Sequence, residues 1–164
     1  MPKVALIMGS KSDFETLKGC ISTLSDFGVD VETRVISAHR TPDIAADFAK
    51  NARKNGFGAL ICAAGKAAHL AGVMAAFTTL PVIAIPIKSS ALDGMDALLA
   101  MVQMPPGIPV ATVAIDGAVN AALLAVQILG VSDASLADKL DKHRERLTAS
   151  VIKADEEVRE MTKG

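Results

Sequence analysis

The sequence predicts an α/β fold of three layers: a mainly parallel five-stranded sheet with helices on both faces, flavodoxin-like, followed by a long C-terminal helix. Apolar runs rich in β-branched residues alternate five times with segments of helical pattern. In those segments the apolar residues recur at helical spacing, as Leu17, Cys20, Ile21 and Leu24 do. With 164 residues, the chain has the length of one domain.

The first half of the chain is expected to alternate strands and helices with clear stops. Thr41 is expected to cap the second helix, with Pro42 at its first position, where a missing N–H costs nothing. Gly28 is expected to end the first helix, and Gly56 is expected to end the second. The expected elements are a strand over 3–8, a helix over 13–27, a strand over 29–36, a helix over 41–55 and a strand over 59–64.

The second half continues the alternation. Residues 104–109 contain three prolines and cannot be helical, whereas Asn120 and Ser132 are expected to cap the helices that follow them. The expected elements are a helix over 67–77, a strand over 81–85, a helix over 93–103, a strand over 110–115 and helices over 120–129 and 132–161. We therefore expect residues 1–131 to form the α/β catalytic domain. Residues 132–164 are expected to be a helical extension that packs on the oligomer and is not a separate domain.

Composition excludes several classes of function. The net charge of -1 gives no field that would attract nucleic acid or a membrane surface, and Trp and Tyr, which stack on bases, are absent. No secretory signal is visible. Residues 67–87 carry no charge but contain two prolines, which favours a helix, a break and a strand over a membrane span. Cys20 and Cys62 lack a zinc spacing and are expected to be reduced thiols of a cytoplasmic protein, with a disulfide as the alternative.

Charged residues are unevenly distributed along the chain. Residues 56–131 contain five of them, whereas residues 132–164 contain 15. Uncharged, alanine-rich faces favour contact with a partner, so we expect a homo-oligomer. The alternative is that the two faces of one α/β core cover these segments within a single chain.

Three loops that each join a strand to a helix carry the candidate chemistry. Because the carboxyl ends of parallel strands lie at one edge of the sheet, residues 9–13, 36–43 and 64–69 are expected to meet there. Residues 89–92 and 104–107 either border this site or a subunit contact, or are simple connectors.

The first two loops suit a phosphorylated ligand and a proton transfer. Ser10 and Ser12 hydroxyls, with backbone N–H groups at a helix start, suit a phosphate, and Asp13 suits ribose hydroxyls, although the P-loop spacing is absent. In the second loop, a histidine (His39) can move a proton near neutral pH, and Arg40 can hold a phosphate or carboxylate with its planar fork. The alternative for the first loop is an ordinary capped helix. The alternative for the second loop is a surface histidine, His39, beside a solvated Arg40.

The third loop offers a small pocket. Its alanines and glycines could hold something flat or small beside His69, and the alternative is a core histidine bonded to a carbonyl. No His, Asp or Glu spacing resembles a zinc or iron site, so no metal is expected. A flavin carrier is disfavoured, because none of the three loops contains a Phe, Tyr or Trp to flank the ring.

Five segments together resemble the class I 5-(carboxyamino)imidazole ribonucleotide mutases of purine biosynthesis, and they span nearly the whole chain in the family's order. The segments are Met8-Gly9-Ser10-Lys11-Ser12-Asp13, Ser37-Ala38-His39-Arg40-Thr41-Pro42-Asp43, Ala67-Ala68-His69-Leu70, Val102-Gln103-Met104-Pro105 with Gly107-Ile108-Pro109-Val110, and Asn120-Ala121-Ala122-Leu123-Leu124-Ala125.

The resemblance implies a reaction without a cofactor, in a homo-octamer whose sites lie between subunits. The N-carboxylate of the substrate is released as CO2, held in the site and added to a ring carbon, giving 4-carboxy-5-aminoimidazole ribonucleotide. His39 would be the general acid and base, Arg40 and the serines would face the phosphate, and Asp13 would face the ribose. The implied substrate-binding residues are Ser10, Ser12, Asp13, Ser37, Arg40, Gly65, Ala67, Ala68, His69 and Leu70.

Two residues depart from the family's usual Gly-Gly-Ala-Ala-His-Leu-Pro-Gly: Lys66 replaces a glycine and Ala71 a proline. Class II relatives, which carboxylate aminoimidazole ribonucleotide directly with CO2, tend to carry a basic residue in this loop. Direct carboxylation is therefore one alternative, and a non-catalytic nucleotide-binding protein is another. Arg40 and His69 favour the mutase, because class II has Lys after its catalytic histidine and usually lacks this Ala-Ala-His. Lys66 could also face solvent or a neighbouring subunit.

Overall fold

The computed structural model describes residues 2–163 and contains one five-stranded sheet. The strands are β1 (Lys3–Met8), β2 (Asp30–Val35), β3 (Phe57–Gly65), β4 (Val82–Ile87) and β5 (Ala111–Thr112). The helices are α1 (Phe14–Phe27), α2 (Pro42–Asn51), α3 (Leu70–Phe77), α4 (Met95–Val102), α5 (Ala118–Gly130) and α6 (Ala134–Met161). A short 3-10 turn over Lys11–Asp13 precedes α1.

All the strands run parallel, in the order β2-β1-β3-β4-β5. This order confirms the flavodoxin-like α/β fold. The chain leaves β1 towards β2 and then crosses back to β3, so the strand order reverses beside β1. Ligands of such sheets bind in the crevice beyond the carboxyl ends at this reversal.

The two faces of the sheet are buried under different helices. Along β1, Val4, Leu6 and Met8 point to the core layer formed with α1 and α5, whereas Ala5 and Ile7 point to the layer of α2, α3 and α4. The alternation follows from the two-residue period of a strand. Burial on both faces explains why the strands are almost continuously apolar.

The last helix packs on its own domain at its start and leaves its end exposed. Leu136 is buried against the α1 and α5 layer, and Lys139 Nζ donates to the backbone carbonyl of Phe27 at 2.6 Å. Farther along, the side chains of Val151 and Met161 are 70% and 83% exposed. Among residues 2–163, no helix combines the length and the apolar composition that crossing a bilayer requires.

Several expected helix ends were wrong. α2 ends at Asn51 and not at residue 55, and Gly56 lies beyond a further turn. Asn120 does not cap α5, because the turn at Asp116 and Gly117 starts this helix earlier. Ser132 does not cap α6 either: the Asp133 carboxylate accepts from the N–H groups of Ser135 and Leu136 at 3.0 and 3.3 Å. A carboxylate is a strong acceptor at a helix start.

The bounds of several helices and strands in the second half of the chain also differ from the expected ones. The third helix begins at Leu70 rather than 67, because residues 67–69 form a turn closed by the His69 N–H and the Ala67 carbonyl. β4 continues through Pro86, whose carbonyl accepts from the Asp116 N–H at 2.8 Å. β5 is only two residues long, since it pairs with β4 alone at the edge of the sheet.

Candidate active site

The loop that carries His39 is braced by its own side chains. Thr41 lies at the position before α2 as expected, but its hydroxyl does not cap the helix. It donates to the Ser37 carbonyl at 2.9 Å and accepts from the Ser37 N–H at 3.0 Å. The Ser37 hydroxyl in turn accepts from the Arg40 N–H at 3.2 Å. These bonds close a turn that holds the His39 side chain outward at the end of β2.

His39 forms a hydrogen bond with His69, which lies 30 residues away in sequence. The distance between His39 Nε2 and His69 Nδ1 is 2.9 Å, and the two rings meet edge to face at 84°. One nitrogen must donate and the other must accept. Two imidazolium rings would present two N–H groups to each other, so this bond exists only when at most one ring is charged. The bond therefore fixes the orientation of the two rings relative to each other.

A cleft of about 560 Å³ lies beside His39, at the carboxyl ends of β1 to β4. Its volume falls in the range of small-molecule sites. It is lined by Gly9, Ser10, Ser12, Asp13, Ser37, Ala38, His39, Arg40, Ala64, Gly65, Lys66, Ala67, Leu70, Ile87, Lys88 and Ser89. The three loops singled out in the sequence thus converge, and a fourth, after β4, completes the wall.

One end of the cleft combines a cation with hydroxyl and carboxylate groups. Arg40 Nη2 donates to the Gly9 carbonyl at 2.9 Å, which ties the β2 loop to the β1 loop. The Ser12 hydroxyl is 2.9 Å from the Ser10 hydroxyl and donates to Asp13 Oδ1 at 3.1 Å. Burial raises the pKa of Asp13, partly opposed by the hydrogen bond from Ser12. A poorly hydrated carboxylate is a ready acceptor for sugar hydroxyls.

The sequence-predicted residues are mostly, but not all, at this cleft. Ala68 is only 1% exposed and packs in the core layer of α2, α3 and α4. His69 reaches the site through its hydrogen bond to His39 and does not itself line the cleft. The predicted residues that line the cleft are Ser10, Ser12, Asp13, Ser37, His39, Arg40, Gly65, Ala67 and Leu70.

Sequence reasoning missed Lys88 and left Ser89 undecided between pocket border and connector. Both follow β4, so the rule that ligands bind at the carboxyl ends of strands could have found them. The Lys88 N–H is held by Asp116 Oδ1 at 2.9 Å, which fixes this wall of the cleft.

A larger concavity of about 940 Å³ lies at the opposite, amino edge of the sheet. It is bordered by Lys50, Arg53, Phe77 and the start of β4, and it contains no histidine, aspartate or glutamate. Size alone would favour it, but the hydrogen-bonded pair of His39 and His69 lies at the smaller cleft, which His39 lines. Within residues 2–163, no group of three or more His, Cys, Asp or Glu side chains could hold a metal ion.

A family model described as AIR carboxylase matches residues 3–150. The chain belongs to the AIR carboxylase family. Its curated relatives include an N5-carboxyaminoimidazole ribonucleotide mutase of Saccharolobus solfataricus, 54% identical over 93% of this chain and 96% of that protein. The protein of the same name from Bacillus subtilis is 51% identical over 96% of this chain and 98% of its own length.

The fold of this AIR carboxylase family member is similar to solved structures as well. The crystal structure of Treponema denticola PurE has a TM-score of 0.88 and 30% sequence identity, and the match covers 96% of this chain and 98% of that one. The crystal structure of a single-substitution variant of Treponema denticola PurE2 has a TM-score of 0.87 and 30% identity, and the match covers 95% of this chain and 97% of that one. The likeness therefore extends over α6 as well as the sheet.

Proposed function

We propose that this chain is an isomerase of purine biosynthesis, a mutase that converts N5-carboxyaminoimidazole ribonucleotide to 4-carboxy-5-aminoimidazole ribonucleotide. The observation that carries the proposal is the His39–His69 hydrogen bond beside a nucleotide-sized cleft. An acid–base group at this point is what a carboxyl migration needs, because a proton must be given to nitrogen and taken from carbon. Curated relatives that are 54% and 51% identical over the aligned residues carry this name.

In the first step, His39 as imidazolium protonates the exocyclic nitrogen that bears the carboxylate. The C–N bond breaks, its electron pair stays on nitrogen, and CO2 and aminoimidazole ribonucleotide form. In the second step, the electron-rich ring carbon attacks CO2 and a C–C bond forms. His39, now neutral, removes the proton from that carbon and the ring recovers its aromaticity. The histidine ends in its starting state, so no co-reactant is consumed.

His69 serves this cycle by orienting the His39 ring. A ring nitrogen that is hydrogen-bonded on one side presents its other side in a defined orientation and tautomer. We assign the proton transfers to His39, because its imidazole lines the cleft, whereas that of His69 lies behind it.

CO2 has to stay in the site until the ring carbon attacks it. Gly65 and Ala67 have little side-chain volume, and Leu70 adds an apolar wall. A bound neutral gas molecule next to its acceptor reacts without a new diffusional encounter. The phosphate would be bound by Arg40 with the serines of the first loop, and the ribose by Asp13.

A labelling experiment tests the proposal. The carboxyamino substrate carries an isotope in its carboxyl group and turns over in buffer with unlabelled bicarbonate. We expect the product to retain the label, and His39→Asn to stop its formation. His143→Asn is the matched control. His143 lies on α6, where its ring packs against that of Phe27, and it is not among the residues that line the cleft. If the native protein does not turn over this substrate, the proposed mutase activity is refuted.

A second function is favoured by one observation: Lys66, a residue with a cationic side chain, lines the cleft. A cation there could hold bicarbonate or steer CO2 in a direct carboxylation of aminoimidazole ribonucleotide. The same assay separates the two reactions. A mutase prefers the carboxyamino compound without bicarbonate, whereas a carboxylase needs aminoimidazole ribonucleotide with bicarbonate and would give unlabelled product.

The assembly and the location are also part of the proposal. We propose a cytoplasmic homo-octamer in which residues 1–131 form the catalytic domain and residues 132–164 are a helical extension whose exposed part packs on neighbouring subunits. The exposed apolar side chains Val151, Val158 and Met161 on α6 support a partner there, since such residues are usually covered. Native mass spectrometry of the full chain measures the number of copies.

A further inference from the structure

Lys66 occupies a backbone conformation that a lysine rarely adopts. Its φ angle is +56°, directly after β3 ends at Gly65. An L-residue is less stable in this left-handed region than a glycine would be. Lysine at this position therefore costs folding free energy, and its side chain offers a reason for keeping it.

Lys66 lines the cleft, and its ammonium has no carboxylate partner among residues 2–163. Three cations line the cleft: Arg40, Lys66 and Lys88. The Arg40 guanidinium donates to the Gly9 carbonyl at 2.9 Å, and Lys88 Nζ pairs with Asp93 at 3.3 Å. Lys66 makes no ion pair with any residue in the described range 2–163. Unlike Lys88, Lys66 therefore has no carboxylate partner among residues 2–163, and its ammonium is available for an anion in addition to the phosphate assigned to Arg40.

The positions of the cations match a ligand with two separate anionic groups. Arg40 follows β2 and Lys66 follows β3, and β1 lies between these strands. Two strand spacings of about 4.8 Å place the two strand ends roughly 10 Å apart. The substrate of the proposed function has a phosphate at one end and a carboxylate on its heterocycle at the other. Because Arg40 adjoins the serines and Asp13, the phosphate belongs at its end and the carboxylate at the Lys66 end.

We propose that the Lys66 ammonium binds the migrating carboxylate, in both the nitrogen-bound substrate and the carbon-bound product. This inference rests on the proposed function, since it presupposes that reaction. Lys66 is thereby a specificity residue that distinguishes carboxylated ribonucleotides from aminoimidazole ribonucleotide, which lacks the second anion. A charge-assisted hydrogen bond of ordinary strength corresponds to roughly a 10-fold change in affinity.

The test compares the dissociation constants of two nucleotides, the carboxylated product and aminoimidazole ribonucleotide, by calorimetry. We expect Lys66→Met to weaken product binding roughly 10-fold and to leave aminoimidazole ribonucleotide binding unchanged. Lys66→Arg is expected to restore most of the preference. Lys142→Met, which removes the same charge from the exposed α6, is expected to change neither constant.

A glycine variant separates binding from backbone strain. Lys66→Gly relieves the left-handed conformation and is expected to match or exceed the native Tm, while it loses the same affinity as Lys66→Met. A role limited to the backbone would change the Tm and leave the ratio of the two constants as it was, which would overturn the inference. An equal weakening of both nucleotides would also overturn it. Failure of the proposed function would appear separately, as absence of turnover by the native protein.

Discussion

The hydrogen bond between His39 and His69 leads to a quantitative prediction for a double-mutant cycle. Removal of the proposed general acid and base by His39→Asn is expected to lower kcat by about 10²- to 10⁴-fold. The His69→Ala change removes one hydrogen bond at 2.9 Å between exposed rings. Such a bond contributes about 0.5–1.5 kcal/mol, so kcat should fall by roughly 2- to 12-fold.

The two effects are expected not to add. If His69 acts only through His39, the double variant has the kcat of His39→Asn alone, and the coupling energy equals about 0.5–1.5 kcal/mol. Initial rates with the carboxyamino substrate, at saturating and at low concentration, measure the cycle. The reasoning is refuted if His69→Ala lowers kcat as much as His39→Asn does, or if its effect persists in full in the His39→Asn background. Either result would mean that His69 acts on the substrate directly.

Three further predictions concern binding, stability and reactivity. Arg40→Ala is expected to raise KM by about 10-fold or more with a smaller change in kcat, because it removes the proposed charge-assisted contact to phosphate. An unaltered KM would contradict this role. Because burial raises the pKa of Asp13, the carboxyl contributes its full stability in acid and loses it as the pH rises through that pKa. Asp13→Asn should therefore raise the Tm relative to the native protein at neutral pH, and this difference in Tm should shrink in acid. The same variant is expected to weaken nucleotide binding. A difference in Tm that grows in acid would contradict the reasoning. Burial raises the pKa of the Cys20 and Cys62 thiols to about 12, so neither should be alkylated in mildly alkaline buffer until the protein unfolds, as mass spectrometry can check. The folded protein should also lose stability as the pH rises from the ordinary thiol range towards that value, since the unfolded chain ionises first.

Local signals in the sequence were reliable where one residue decides a conformation. Gly28 ends α1 in the left-handed conformation, with a φ of +75°, as the sequence predicted. Pro42 stands at the start of α2, as predicted, because a first helical position does not need the N–H that proline lacks. In contrast, Asn120 was expected to cap a helix and lies inside it. The residues that precede it, Asp116 and Gly117, form a turn whose backbone is held by the Pro86 carbonyl of another strand.

The candidate site was predictable as a set of loops and not as a set of contacts. Once the strands are parallel, topology alone brings the loops after β1, β2 and β3 to one edge. It does not say which side chains of a loop face the cleft. Ala67 faces it and Ala68 is buried in the core, although the two are adjacent and chemically identical. Their directions depend on the turn over residues 67–69, which no periodic pattern signals.

The sequence by itself determined the parallel α/β class and the edge of the sheet where the candidate loops meet. The period of apolar residues encodes which faces are buried, and glycine and proline mark where the chain turns. Only the tertiary structure decided that His39 meets His69 at hydrogen-bonding distance and that Lys66 lines the cleft without an ion pair to any residue from 2 to 163. These facts depend on the order β2-β1-β3 and on side-chain directions at strand ends. Both arise from packing between residues far apart in the chain, to which local patterns carry no direct signal.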